Sequence, residues 1–444
     1  MNTLDSISPI DGRYRKYTEP LARFFSEEAF MRYRVQMEGE YLISLSEILK
    51  TKFEIRNKSQ IRNLAANFSN KDAEQIKKLE ATTNHDFKAI EYWMREKLNL
   101  KLSNWIHFGL TSQDATNIAQ ALMLRDALQE VIVPALEEIL SELRLLSTTH
   151  YALPMLARTH GQPASPTTFG KEMAVFVHRL ERQVKQLRGF KLTAKLNGAT
   201  GNYNALVAAY PKIDWIAFSK KFITSLGLEA NLITTQIEPY DNQIELFDVL
   251  RRINMILIDF DQDMWRYISD GWIVQKAIKG EVGSSTMPHK INPIRFENSE
   301  GNLGIANALF QHFALKLPVS RLQRDLSDST VERTIGTAFG HALVGYRNII
   351  DGLGRIAVNQ DAMREELEQH PELLAEAIQT ILRREGVTMP YEQLKELTRG
   401  KQITQQDITK FIDSLNVDGK TRQELHKLRT TNYTGLASKL ATYA

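Results

Sequence analysis

Along the middle of the chain, apolar side chains return every three or four positions for unusually long stretches. Leu246, Leu250, Ile253, Leu257, Phe260, Met264 and Ile268 keep this spacing with no glycine or proline among them. That pattern predicts one long amphipathic helix. Phe169, Met173, Phe176, Leu180, Val184 and Leu187 form a second stripe. A third comprises Leu122, Leu128, Ile132, Leu136, Ile139, Leu143 and Leu146, and Pro134 within it removes a backbone donor, which predicts a kink. Two more helical stretches are expected over roughly 296–316 and 329–351. Stripes this long need partners of similar length, so the spacing predicts a central bundle of long helices.

About 100 residues of shorter helical character precede the bundle. After Gly352 and Gly354 comes a charged tail of short helices, interrupted by Gly386, Pro390 and Gly400. Period-two alternation is scarce, so any sheet is expected to be small and peripheral. The fold class expected is all-α, in three parts: residues 1–108, a central long-helix bundle over 109–353, and a helical domain over 354–444.

Composition narrows the function classes. With 43% hydrophobic and 25% charged residues in 444, the chain has the make-up of an ordinary globular protein with room for a large core. Zero cysteines exclude a disulfide framework, a thiolate metal site and a cysteine nucleophile, and fit a reducing compartment, so a cytoplasmic location is expected. The net charge of +3 comes without any block of like charge, which speaks against nucleic-acid binding and leaves anionic ligands to local cations. No run approaches the roughly 20 apolar residues of a membrane span. The apolar stretch near Leu156 is broken by Pro154 and Arg158. The opening MNTLDSISPIDGRYRKY is too polar for a secretory signal.

Candidate chemistry lies in the polar connections. GSSTMPHKINP, residues 283–293, offers Ser284 or Ser285 as a nucleophile or base, Lys290 as a partner for a developing anion, and Gly283 for close backbone approach. In ARTHGQPASPTTFGKEMA, residues 157–174, Thr159, His160 and Gln162 precede a helix whose start is marked by Ser165 and Pro166. Thr111, Ser112 and Asp114 have the composition of a helix N-cap. Arg324, Ser329 and Arg333 are suited to converge on a phosphate, which arginine grips in a bidentate way. Each segment taken alone also has an ordinary structural use as linker, cap or solvated surface. No metal-ligand spacing, Walker loop or dinucleotide fingerprint is present, so no cofactor and no metal are expected.

Taken together, the segments carry a resemblance. GSSTMPHKIN resembles the signature loop of the fumarase and aspartase superfamily, and RTHGQPA at 158–164 resembles its adenylosuccinate lyase branch. SPIDGRY at 8–14, TTNHD at 82–86, TSQD at 111–114, TTQIEP at 234–239 and SRLQRDLSDSTVER at 320–333 resemble the same branch in the same order. PYEQLKELTRG at 390–400 continues it more weakly.

The resemblance implies a carbon–nitrogen lyase that eliminates fumarate from succinylated purine nucleotides. These are adenylosuccinate, giving AMP, and succinylaminoimidazole carboxamide ribotide, giving AICAR. It implies that Ser284 takes the proton, that Lys290 and Asn292 support the resulting anion, and that His160, oriented by Glu297, protonates the leaving nitrogen. Arg13, Tyr14, Arg324, Ser329 and Arg333 would bind the phosphate end, with Asn84, His85 and Asp86 beside them. Thr111, Ser112, Thr159 and Gln236 would hold the succinyl carboxylates or polarise the leaving group, and Ser285 and Asn298 would contact the substrate. It implies a homotetramer whose active sites each draw on three subunits, through the regions of His85, His160 and Ser284. Rival readings are another lyase of the superfamily, which would not need the basic set at 320–333, and a non-catalytic helical scaffold, against which His160, Ser284 and Lys290 speak.

Overall fold

The three apolar stripes become long helical segments in the computed structural model, which describes residues 3–50, 52–98, 100–278, 280, 287, 289–398 and 403–443. Asp241–Ser269 is one unbroken helix, with Leu246, Leu250, Ile253, Leu257, Phe260 and Met264 all buried. Phe169–Arg188 buries its whole stripe in the same way. The third stripe changes its helical geometry just before Pro134. Ser112–Ala127 passes into a π-helical turn, Leu128–Ile132, before Val133–Thr149 continues. The Val133 amide reaches back to the Leu128 carbonyl, a widened turn that accommodates the missing donor and the ring of Pro134. Ile294–Lys316 and Ile335–Leu353 are two further long helices. The architecture is all-α.

Among the described residues, strands are confined to three two-stranded pairs. The largest is the hairpin Pro154–Thr159 with Gln162–Thr168. Ser165 and Pro166 therefore belong to a strand rather than to a helix start. The register there shifts, with Met155 opposite Thr167 but Ala157 opposite Ala164, so the extra residue falls at Ser165–Pro166. A bulge on a two-stranded ribbon is where a proline without an amide is tolerated. The Thr168 hydroxyl then accepts the Lys171 amide at 3.3 Å and caps the helix.

Two further expectations change. The stretch near 329–351 is broken into Ser327–Glu332 and Ile335–Leu353. Between them the Thr334 hydroxyl bonds the Val331 carbonyl at 2.7 Å, so a side chain takes up a carbonyl at the break. The amino-terminal region holds a long helix as well, Glu27–Ile48, whose buried positions run around most of its surface and include Arg34 and Glu38. Charges placed among apolar residues disguise it as a weak pattern.

The chain divides into two compact units. The first holds residues 1–136, 183–255 and 301–347, and the second holds 137–182, 256–300 and 348–444. Each change from one unit to the other falls within one of the long helices. The first unit is centred on Phe247, Phe310 and Phe339, with Phe247–Phe310 rings stacked at 5.4 Å. In the second, Phe260 meets Phe176 and Phe296 edge to face at 5.3 and 6.2 Å. The carboxyl-terminal part of this unit adds a small core of Leu374, Ile378, Ile408, Ile412 and Leu425. Among the described residues, no helix is long and apolar enough to cross a membrane.

Candidate active site

A cavity of about 840 Å³ opens within the first unit. Its walls come from helix 27–48, the turn at 84–86, one face of helix 112–127 from its start to Leu124, and the segment 324–336. Of the residues singled out in sequence, Asn84, His85, Asp86, Thr111, Ser112, Arg324, Ser329 and Arg333 line it.

Local chain chemistry puts each one there. Helix Asn70–Thr83 ends at Asn84 in the left-handed conformation, φ 51°, where asparagine is among the better-tolerated residues. His85 caps the next helix, Asp86–Lys97: its Nδ1 accepts the Lys88 amide at 3.2 Å, so a neutral ring carries its proton on Nε2. Thr111 caps helix 112–127 in a capping box with Asp114, whose carboxylate accepts the Thr111 amide at 2.9 Å. The hydroxyls of Thr111 and Ser112 thus stand at a helix N-terminus, favourable ground for an anion.

The electrostatics are arranged around Asp86. Arg34 Nη1 lies 2.9 Å from its carboxylate and Arg333 Nη2 3.7 Å away. Burial works to raise the Asp86 pKa, but the Arg34 guanidinium outweighs it and holds the carboxyl below its ordinary value. Arg34 is itself buried, which lowers its pKa while Asp86 opposes the shift. It also donates to the Thr116 hydroxyl at 3.0 Å and lies 3.7 Å from the centre of the Phe30 ring. Arg324 is held by Asp328 at 3.8 Å and by the Gln236 side-chain oxygen at 3.4 Å. The Nε atoms of Arg34 and Arg324 are buried without hydrogen-bond acceptors. Glu332 also faces the cavity, and burial lifts its carboxyl above the ordinary range. Three arginines at one cavity, two of them with an unused donor, have the chemistry to receive a multiply charged oxyanion.

Arg13 and Tyr14 lie outside the cavity lining, in the SPIDGRY turn before helix Arg15–Phe25. That turn is closed by the Tyr14 amide on the Pro9 carbonyl at 2.8 Å and by the Thr18 hydroxyl on Ile10 at 2.8 Å.

The remaining candidates belong to the second unit. His160 and Gly161 form the two-residue loop of the hairpin with φ of 55° and 73°, as a type I′ turn requires, and this lifts the imidazole to the exposed tip. A histidine with positive φ carries a strain of about 1 kcal/mol or more. Two residues before the tip the hairpin is anchored: Arg158 pairs with Glu366, which also accepts the Trp272 indole at 2.5 Å. Its tip is not, since His160 makes no hydrogen bond or ion pair among the described residues. Thr159 is exposed beside it. Glu297, exposed near the start of helix 294–316, accepts the Trp265 indole at 3.2 Å. Asn298 donates to Asn348 at 3.2 Å. Lys290 is exposed, Asn292 is half-buried, and Ser284 and Ser285 lie outside the described residues.

Sequence reasoning did not single out Arg34, Gln120 or Glu332, all of which line the cavity. The available signal was Arg34 and Glu38, two opposite charges one helical turn apart inside an apolar helix. Among the described residues, no group of three or more His, Asp or Glu side chains could hold a metal ion.

Comparisons with known proteins bear on this geometry. A family model described as Lyase matches residues 12–307, and one described as Adenylosuccinate lyase C-terminal matches residues 320–434. The chain is 48% identical to adenylosuccinate lyase of Haemophilus influenzae over 449 residues, covering 99% of this chain and 98% of that protein. It is 47% identical to adenylosuccinate lyase of Escherichia coli strain K12, with 98% of each covered. The Dictyostelium discoideum protein of the same name is 48% identical, with 98% of this chain and 97% of that one covered. Two crystal structures share the fold at a TM-score of 0.78: a fumarate lyase from Mesorhizobium at 18% identity, and 3-carboxy-cis,cis-muconate lactonizing enzyme from Pseudomonas putida at 20%. The first covers 96% of this chain and 97% of its own, and the second 97% of each.

Proposed function

The chain belongs to the adenylosuccinate lyase family, and from that premise we propose that it eliminates fumarate from adenylosuccinate, leaving AMP, and from succinylaminoimidazole carboxamide ribotide, leaving AICAR. The cavity supports this reading most directly. Arg34, Arg324 and Arg333 converge there beside a helix N-terminus bearing two hydroxyls, which suits a substrate with a phosphate and two carboxylates.

The chemical difficulty is a proton on carbon next to a carboxylate, a very weak acid. Removing it demands stabilisation of a dianionic aci-carboxylate before the C–N bond breaks. Ser284 takes that proton in our reading, with Lys290 and Asn292 holding the charge. His160 protonates the departing nitrogen, since an unprotonated amine is a poor leaving group. Its exposed, unpartnered ring supports a role met only when substrate or another subunit arrives. Glu297 then orients that ring, as a carboxylate fixes an imidazole tautomer. Arg13, Tyr14, Arg324, Ser329 and Arg333 take the phosphate end, with Asn84, His85 and Asp86 alongside. Thr111, Ser112, Thr159, Gln236, Ser285 and Asn298 take the succinyl and leaving-group contacts.

We further infer a homotetramer in the cytoplasm, with sites shared between subunits. Large apolar side chains exposed along the long helices, among them Met255, Trp265, Ile294, Ile305 and Leu315, support an assembly that covers them.

The test is an ultraviolet assay in which the purified protein is incubated with adenylosuccinate. Loss of substrate with matching formation of AMP and fumarate is expected. A protein that leaves adenylosuccinate untouched but cleaves another succinyl compound would overturn the assignment.

A further inference from the structure

Asp114 completes a capping box, but capping carboxylates ordinarily face water. This one is 0% exposed, and so is Lys195, whose Nζ stands 3.0 Å from Asp114 Oδ1. The same carboxylate accepts the amides of Asn197 and Gly198, each at 3.1 Å, in addition to that of Thr111. Lys195 is fastened in turn. Its Nζ donates to the Gly198 carbonyl at 2.8 Å, and its backbone is bonded on both sides by the Asn117 side chain, at 2.8 and 3.1 Å.

One buried carboxylate thereby joins two stretches of the first unit. The first is the turn presenting Thr111 and Ser112 to the cavity. The second is the loop 197–201, which holds a candidate substrate contact: Gln236 Nε2 donates to the Ala199 carbonyl at 3.1 Å, and Gln236 Oε1 accepts from Arg324 at 3.4 Å. Asn197 Nδ2 also bonds the Thr234 hydroxyl at 2.8 Å. Gly201, at φ +80°, lies so close to this segment that a Cβ would stand 2.1 Å from the Thr234 carbonyl oxygen. Contacts thus run without interruption from Thr111 through Asp114 to Gln236 and Arg324.

We propose that Asp114 and Lys195 are positioning residues for the elimination, fixing Thr111, Ser112, Gln236 and Arg324 in one arrangement without touching substrate. The inference rests on the functional reading above. Its physical sense lies in charge as well as geometry. Only a carboxylate can accept three backbone amides at once, and beneath an anion-binding helix terminus its charge would repel the substrate. Lys195 cancels that charge from the buried side. A buried ion pair is seldom a net source of stability, because neutral packing often serves as well. Function is therefore where its replacement tells.

The experiment compares KM, kcat and Tm of wild type, Lys195→Met, Asp114→Asn and the double variant, with adenylosuccinate as substrate. Each single variant is expected to raise KM by about tenfold or more, since misplacing a contact by an ångström costs on that order, while kcat changes by less than about threefold. The double variant, having no unpaired buried charge, is expected to regain Tm but not KM. Leu206→Ala, which hollows the packing under Gly109, serves as a control that lowers Tm with KM unchanged. Variants with reduced Tm and a KM within about twofold of wild type would overturn the proposal, as would an equal KM rise in Leu206→Ala. If the charge variants do not fold, Thr234→Val carries the test by loosening the other anchor of the loop: a KM rise of about threefold supports the proposal and an unchanged KM refutes it. Wild-type turnover tests the functional reading separately, so the two failures are distinguishable.

Discussion

Asp86 lies 2.9 Å from one arginine and 3.7 Å from another, with its own turn closed around it. His160, at the tip of a hairpin, makes no hydrogen bond among the described residues. Both are polar residues at turns, yet one is completed by its own unit and the other is left open. Binding groups gain from being held in advance, because a fixed array of charges costs no reorganisation when an anion arrives. A proton donor at an exposed tip keeps one ring nitrogen free for the leaving group and takes an orienting carboxylate on the other only when the site is completed. On the proposed function, the difference separates a preorganised receptor in the first unit from chemical groups that await assembly.

The sharpest way to break this comparison is to delete from each side. His160→Ala and Ser284→Ala are expected to lower kcat by about 10² to 10⁴ or more, with KM nearly unchanged, in steady-state turnover of adenylosuccinate. A His160→Ala enzyme with near-normal kcat would remove the acid from the account. Arg333→Met should give the opposite signature. Loss of one charge-assisted contact, about 1.5–3 kcal/mol, raises KM roughly tenfold to a hundredfold and leaves kcat within a few-fold. If Arg333→Met lowered kcat instead, the division between receptor and chemistry would fail.

Much of the scaffold was legible because long helices write their burial as period: the stripe from Leu246 to Met264 could hardly be anything else. Helix 27–48 was less legible, since its buried face is interrupted by Arg34 and Glu38, which satisfy each other's surroundings only through residues distant in sequence. Asp86, the partner of Arg34, lies 52 positions away. Lys195 illustrates the same limit, because nothing local distinguishes a lysine bonded to Asp114 in the core from one in water. Ser165 and Pro166 have helix-start chemistry but form a strand bulge, since the hairpin pairing outweighed the local preference. The candidate site was visible chiefly as short strings in a known order. His160 shows how far that goes: the string named the residue, and only the backbone revealed the turn that exposes it.

A smaller effect tests how firmly the receptor is held. His107, at φ 58°, lies 2.6 Å from the buried Glu38 carboxylate, just ahead of Thr111. Burial alone would lower its pKa, but Glu38 reverses this and raises it above the ordinary 6.5. With the folded pKa raised, the pair stabilises fully below pH 6.5 and loses that contribution as pH climbs through the folded value. Thermal melts should therefore show wild-type Tm falling on the alkaline side, and His107→Gln should flatten that slope. Parallel profiles for the two proteins would show that the pair does not hold the turn.

The most direct test of the division is complementation between its two sides. His85→Ala damages the cavity and His160→Ala the hairpin tip, and at adenylosuccinate well below the wild-type KM each homogeneous protein is expected to be severely impaired, the first through KM and the second through kcat. Mixed after reversible dissociation, they should form hybrid assemblies in which some sites carry neither lesion, and turnover of adenylosuccinate should return. Hybrids verified by mass spectrometry that remain as impaired as either parent would contradict an active site shared between subunits.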